Sequence, residues 1–300
     1  IVYKSPVEDK KSATYDDHQC SSYDVEACSW SNIPDEDFAL ADDNHWTIGQ
    51  FVWTGFDYLG EPSPYDTNAW PNHSSMFGII DLASIPKDRY YLYRSVWNKN
   101  AETLHILPHW TWPGREGKVT PVFVYTNHPT AELFINGKSY GKQSKNNSSL
   151  KNRYRLMWMD AVYEPGEIKV VAYNKDGKAV AEKIVRTAGK PHHIELVSNR
   201  NELTADGKDL AYITVKVVDK DGNLCPADSR QINFSVKGAG KYRAAANGDP
   251  TNLEQFHLPK MHAFNGMLTA IVQSGETAGE IVLTAKASGV KAGNIRIQTK

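Results

Sequence analysis

The chain has 300 residues, enough for two or three domains, and its formal net charge at pH 7 is -1. No block of Lys and Arg forms a stripe that could neutralise a phosphate backbone, and no apolar run approaches the roughly 20 residues that span a bilayer, so neither a nucleic acid partner nor a membrane span is expected. The three cysteines, Cys20, Cys28 and Cys225, have neither the even count of a disulfide framework nor the spacing of a zinc site.

The first segment that predicts regular structure is residues 34–47, PDEDFALADDNHWT. It opens with Pro34 and three acids, which favour a helix N-terminus because its unpaired N–H groups attract negative charge. Phe38, Ala41 and Trp46 are expected to form the buried side of this helix.

An apolar strand and a second helix are predicted next. The run GQFVW, residues 49–53, has the length and composition of a buried strand. A helix is expected after Pro86, where Tyr90, Tyr93 and Trp97 recur at helical spacing. This order is typical of an α/β unit, although about 100 residues cannot close an eight-stranded barrel, which needs about 250. Either a small open sheet or the last part of a larger fold would account for it.

The rest of the sequence predicts β-structure only. Short alternating runs are separated by turn residues such as Asn136 and Gly137, which supply the positive φ that tight hairpins need. Their number and spacing are typical of β-sandwiches. The predicted organisation is an α/β part at 1–102, followed by two immunoglobulin-like sandwiches at 103–188 and 189–300.

One segment of the last sandwich is too long and polar for a hairpin turn. It is AAANGDPTNLEQFHLPKMHAFNG, residues 244–266. Long ordered loops are often functional. A loop that covers the open end of the sandwich is the simpler interpretation, and a ligand site around Asn247 and Asp249 is the alternative.

Acidic and aromatic side chains gather after GQFVW. Asp57 and Glu61 could act as paired carboxylates, although acids this frequent in loops are usually solvated. Aromatic rings such as Trp53 and Trp70 could stack on the apolar faces of sugars, and spacing leaves this possibility open beside simple packing. The histidines, among them His18, lack the spacing of a helical metal site, so no metal or other cofactor is expected.

Two long stretches carry a family resemblance. FVWTGFDYLGEPSPY and WPNHSSMFGIIDLASIPKDRYYLYRSVW resemble the last strand, active-site loop and last helix of the (β/α)8 barrel of glycoside hydrolase family 2, on its β-galactosidase branch. HWTWPGREGKVTPVFVYTNHPTAELFINGKSYG is similar to the immunoglobulin-like domain that follows that barrel, and ADGKDLAYITVKVVD with NGDP resembles an invasin-like or bacterial Ig-like domain. The implied fold is multidomain: the C-terminal remnant of a (β/α)8 barrel followed by two all-β immunoglobulin-like sandwiches.

The resemblance also implies a mechanism. Members of the family retain anomeric configuration with two glutamates, an acid/base and a nucleophile. Both are expected upstream of Ile1, so the resemblance assigns no catalytic residue to this chain and implies that it is inactive alone. The implied substrate of the whole enzyme is an oligo- or polysaccharide that contains β-galactosides, and the implied location is the periplasm or cell surface of a bacterium.

Five positions are implied to bind substrate. Trp53 matches the tryptophan that lies under the sugar at the end of the eighth strand, and Asp57 and Glu61 follow it in the same motif, where they support or line the subsite. The loops that contain His18 and Trp70 are expected to border the position of the next sugar. The alternative function is a non-catalytic carbohydrate-binding or adhesion module. For the last sandwich, a role as a spacer is the simpler interpretation.

Overall fold

The computed structural model describes residues 3–6, 19–65 and 70–300. In the N-terminal part it contains helix α1, Pro34–Asp43, and helix α2, Asp88–Trp97. Helix α1 is shorter than the sequence predicts because the backbone turns extended at Asn44. Trp46 therefore lies outside the helix and is 81% exposed, whereas Phe38 is buried as expected.

The predicted strand at residues 49–53 is wrong. None of the described residues pairs with it as a strand, and Phe51 is fully exposed. An apolar run becomes a strand when neighbours take up its backbone hydrogen bonds and cover its side chains. Here Val52 packs partly against the core, but Phe51 and Trp53 are exposed and no described strand pairs with their backbone. Pairing starts one residue after Trp53, where the Ile79 N–H donates to the Thr54 carbonyl at 3.2 Å. Of the expected α/β architecture, α2 is confirmed.

The first all-β part consists of two antiparallel sheets with strand orders β1-β2-β5 and β4-β3-β6-β7. The Asn136–Gly137 turn joins β3 to β4 with φ of 48° and 81°, as its sequence predicts. A short helix that the sequence did not predict, α3, Leu150–Tyr154, precedes β5. The strands are β1 Leu104–Leu107, β2 Val122–Thr126, β3 Thr130–Ile135, β4 Lys138–Ser144, β5 Leu156–Trp158, β6 Glu167–Tyr173 and β7 Ala179–Arg186.

Strand β2 is buried along its whole length because both of its faces are covered. Val122 and Val124 belong to the apolar core between the two sheets. Phe123 and Tyr125 point the other way and pack with Leu92 and other residues of α1 and α2. The described N-terminal part thus packs directly against the outer face of the first sandwich.

The second all-β part has sheets with strand orders β12-β14-β10-β8 and β13-β11-β15-β16-β9, around one apolar core. Part of the predicted loop at 244–266 is strand, since β12 extends to Ala246 and β13 follows a stretch at 247–259. Across the described residues, no helix is both long and apolar enough to cross a membrane. The strands are β8 His193–Ser198, β9 Glu202–Leu203, β10 Leu210–Val218, β11 Gln231–Gly238, β12 Gly240–Ala246, β13 Lys260–His262, β14 Met267–Ser274, β15 Gly279–Lys286 and β16 Gly293–Thr299.

Candidate functional site

The Trp53 indole has an exposed aromatic face, and a hydrogen bond holds the edge of its ring. The side chain is 74% exposed. Its indole Nε1–H donates to the Tyr58 hydroxyl at 3.1 Å, and the two rings meet edge to face with centroids 6.1 Å apart. The Tyr58 hydroxyl in turn donates to a carboxylate oxygen of Glu61. The Trp53–Tyr58–Glu61 cluster thus orients an indole while leaving one face free to meet a ligand.

The direction of these hydrogen bonds is fixed by the protonation of Tyr58. Its bond to Glu61 raises the pKa of the phenol, because ionisation would place two negative oxygens side by side. Tyr58 therefore stays protonated at neutral pH and keeps its single O–H directed at Glu61. Its oxygen remains available to accept the Trp53 indole N–H.

Asp57 lies behind this cluster and faces the protein interior. One carboxylate oxygen accepts the Gly78 backbone N–H at 2.8 Å, and the other lies 2.6 Å from the Lys87 ammonium. Burial raises the pKa of Asp57, and the charge of Lys87 acts in the opposite direction. The Asp57 carboxylate is thus held inside the protein by the backbone of one segment and the ammonium of another. The sequence does not predict Lys87 as the partner of Asp57, because nothing in the local pattern around Lys87 sets it apart.

The segment at residues 72–75 carries the loop that holds Tyr58 and Glu61. The Ser75 N–H donates to the Tyr58 carbonyl at 2.9 Å, and the Gly60 N–H donates to the His73 carbonyl at 2.9 Å. The Ser75 hydroxyl also accepts the Tyr58 N–H at 3.1 Å. These hydrogen bonds join the two segments in a short irregular ribbon, which fixes the positions of Tyr58 and Glu61 relative to Trp53.

The remaining predicted site residues lie around this ribbon or outside the described chain. Trp70 is 70% exposed at the start of the 70–75 segment. His18 lies outside the described residues, and the backbone carbonyl of its neighbour Gln19 accepts a hydrogen bond from the Tyr65 hydroxyl. Among the residues that the structure describes, no three His, Cys, Asp or Glu side chains come close enough to share a metal ion.

Comparison with known proteins places this chain in a family. The family model described as glycoside hydrolase family 2 C-terminal domain 5 matches residues 194–296, and a domain of unknown function, DUF4982, matches residues 117–181. A β-galactosidase of Bacteroides ovatus, BoGH2A, is 43% identical over 282 residues, which are 94% of this chain. The chain belongs to glycoside hydrolase family 2 and corresponds to the C-terminal part of its members.

Solved structures of glycosidases share the fold. A β-glycosidase from Bacteroides vulgatus superposes with a TM-score of 0.84 and 34% identity over 94% of this chain. A family 2 member from Bacteroides cellulosilyticus gives 0.77 and 32% over 87%. The chain spans 32% of the length of the B. ovatus protein and 34% of that of the B. vulgatus chain.

Relatives within family 2 differ in the sugar that their names specify. A putative β-glucuronidase of Formosa agariphila is 35% identical over 69% of this chain, and the match covers 20% of its own length. The relatives of this chain therefore include proteins named for both sugars.

Proposed function

We propose that this chain is part of a retaining exo-glycosidase of the β-galactosidase type. It supplies one wall of the sugar site and the C-terminal sandwiches of that enzyme. The observation that carries the proposal is the exposed indole of Trp53, anchored at its edge by Tyr58 and Glu61. Sugar rings have apolar C–H faces that stack on such a surface. The buried Asp57–Lys87 pair supports the loop from behind.

We further propose that residues 1–102 are the end of a (β/α)8 barrel and that 103–188 and 189–300 are its two following domains. Support for the first comes from α2 and from the exposed segment around Phe51, which would find its covering strands in the barrel. In the whole enzyme, Trp70 and the loop of His18 would border the subsite for the next sugar. We place the whole enzyme in the periplasm or at the cell surface, which fractionation of producing cells would test.

The 300-residue polypeptide alone is proposed to be inactive. A retaining glycosidase needs two carboxyl groups about 5 to 5.5 Å apart, one on each side of the scissile bond. Near Trp53, the carboxylate of Asp57 is engaged with Gly78 and Lys87 inside the protein, and that of Glu61 with Tyr58. These contacts favour supporting roles for both side chains over a catalytic pair. Measurable turnover of an aryl β-galactoside by the purified 300-residue chain would disprove this part.

The sugar wall is tested in the full-length protein that contains this segment. Trp53→Ala should lower kcat/KM for an aryl β-galactoside by about a hundredfold, because the sugar loses its stacking surface and its orientation. Trp46→Ala removes an equally exposed tryptophan outside the cluster and serves as the matched control. Equal activity of the two variants would overturn the proposal. Parallel assays with an aryl β-glucuronide decide which of the two sugars is preferred.

A further inference from the structure

The stretch between β12 and β13, residues 247–259, contacts the N-terminal part of the chain. The Pro250 carbonyl accepts the His73 N–H at 3.1 Å. On the neighbouring strand β14, the Thr269 hydroxyl donates to the Ala83 carbonyl at 2.6 Å, and both residues are buried. The last sandwich therefore contacts the 70–87 segment at two separate points.

A third contact joins Gly248 to Asp81. A methyl group built on Gly248 would lie 2.0 Å from a carboxylate oxygen of Asp81, well inside van der Waals contact. The other oxygen of that carboxylate is held by the backbone N–H groups of Ala83 and Ile85, each at 2.8 Å, so the side chain has little freedom to retreat. Gly248 is not in the left-handed region of φ, and it is the close approach that favours glycine here.

The 247–259 stretch is itself fixed to its own sandwich. The Asn247 side chain is buried and donates to the His262 carbonyl of β13 at 2.8 Å. Its amide oxygen accepts the Asp249 N–H at 3.1 Å and the Asn252 amide at 3.2 Å. Pro250 therefore has a defined position relative to the sheets of the last sandwich.

From these contacts, short hydrogen-bonded paths lead to the Trp53–Tyr58–Glu61 cluster. The peptide groups of His73 form one path, since its N–H donates to Pro250 while its carbonyl accepts the Gly60 N–H, one residue before Glu61. The other path runs from Asp81 through Ile80, whose N–H donates to Gly55 at 3.0 Å and whose carbonyl accepts the Asp57 N–H at 2.9 Å. The last sandwich thus supports both sides of the 54–61 loop.

We propose that the last sandwich is a positioning element of the Trp53–Tyr58–Glu61 cluster, acting through Gly248, Pro250 and Thr269. This role is proposed in place of the interpretations of residues 244–266 as an end cover or a ligand loop and of the domain as a spacer. The cluster's role as a sugar wall rests on the proposed function, but the mechanical support does not. Gly248 and Thr269 are positioning residues that act through the 70–87 segment.

Hydrogen exchange in the 300-residue chain tests the support directly. Gly248→Ala and Thr269→Val should each accelerate amide exchange in 54–61 and 72–87 by about tenfold, while β10 and β15 keep their protection. Gly189→Ala is the matched control, because a methyl group there would meet its nearest neighbour at an ordinary 3.6 Å. Thr269→Ser retains the hydroxyl and should restore protection. Unchanged exchange in both loop segments of both variants would overturn the proposal.

The same variants in the full-length enzyme separate this inference from the proposed function. Gly248→Ala should raise KM for the aryl glycoside by about tenfold, since a misplaced sugar wall weakens binding. If exchange accelerates but Trp53→Ala leaves turnover intact, the support is real and the sugar wall is wrong. If Trp53→Ala abolishes turnover while exchange in Gly248→Ala and Thr269→Val matches the control, the sugar wall stands and the positioning role is wrong.

Discussion

Arg155 and Asp35 form an ion pair in which neither side chain is exposed to solvent. The Arg155 Nε–H donates to Asp35 at 2.9 Å, and a terminal nitrogen donates to the Tyr23 carbonyl at 2.8 Å and to the Tyr125 hydroxyl at 3.2 Å. Asp35 lies in the first turn of α1, and Arg155 directly precedes β5. One guanidinium thus joins the N-terminal part to the first sandwich with its donors largely satisfied.

Removing Arg155 should be far more damaging than removing a surface arginine. Arg155→Met leaves the Asp35 carboxylate buried and unpaired, and the free energy of unfolding should fall by about 3 to 5 kcal/mol in urea titrations. Arg296→Met breaks the exposed pair with Glu280 and should cost about 1 kcal/mol or less. Equal losses in the two variants would contradict the structural role. Adding Asp35→Leu to Arg155→Met should recover part of the loss, because the unpaired charge is then gone.

The Asp57–Lys87 pair predicts a pH-dependent loss. Asp57 has a raised pKa in the fold, which Lys87 partly offsets, so Lys87→Met should raise the pKa of Asp57 further. A carboxyl with a raised folded-state pKa stabilises the fold below its unfolded pKa, and this contribution is lost as pH rises through the folded value. Lys87→Met should therefore be more destabilised at about pH 7.5 than at about pH 4.5 in urea titrations. Lys216→Met, which breaks a half-exposed pair with Glu195, is the control, and the same pH slope in both would refute the assignment.

The sequence predicted the sandwiches well because their signals are local. Alternation of apolar residues defines a strand within a few positions, and the Asn136–Gly137 turn has the positive φ that its residue types favour. The run at 49–53 was misread for the opposite reason. Its composition is that of a strand, but a strand also needs partners distant in sequence, and the described residues provide none.

Within the candidate site, the sequence predicted which residues take part but not how they are connected. The aromatic and acidic composition after residue 49 pointed to Trp53 and Glu61, and the structure joins them through Tyr58. Lys87 and Gly248 could not be found in this way. Lys87 acts on a residue of another loop, and the need for glycine at 248 comes from Asp81, a residue of a different part of the chain.

His109 should make the first sandwich sensitive to acid. The half-buried imidazole is stacked on Trp112 and accepts the Thr111 N–H at 3.2 Å. Its partial burial lowers its pKa to about 4. A lowered folded-state pKa gives stability that is complete above the unfolded value of about 6.5 and is lost as pH falls toward about 4, here about 3 kcal/mol. His109→Gln removes the proton site and should flatten the pH dependence of the unfolding free energy by this amount. His257→Gln, at an exposed histidine of the last sandwich, is the control, and a parallel response of both variants would refute the assignment.

Tyr58→Phe separates the anchoring of the indole from the indole itself. The substitution removes the oxygen that accepts the Trp53 indole N–H and the hydroxyl that donates to Glu61, while the exposed ring positions remain. In the 300-residue chain, the Trp53 indole ¹⁵N–¹H resonance, assigned by its loss in Trp53→Phe, should shift and exchange faster with solvent. Tyr212→Phe, at an exposed tyrosine of the last sandwich, should leave that resonance in place.

In the full-length enzyme, Tyr58→Phe should lower kcat/KM for an aryl β-galactoside by about tenfold, less than Trp53→Ala does, because the stacking surface is still present but no longer oriented. A shifted resonance with unchanged kcat/KM would mean that the indole binds sugar without needing its anchor, whereas an unchanged resonance would refute the hydrogen bond itself.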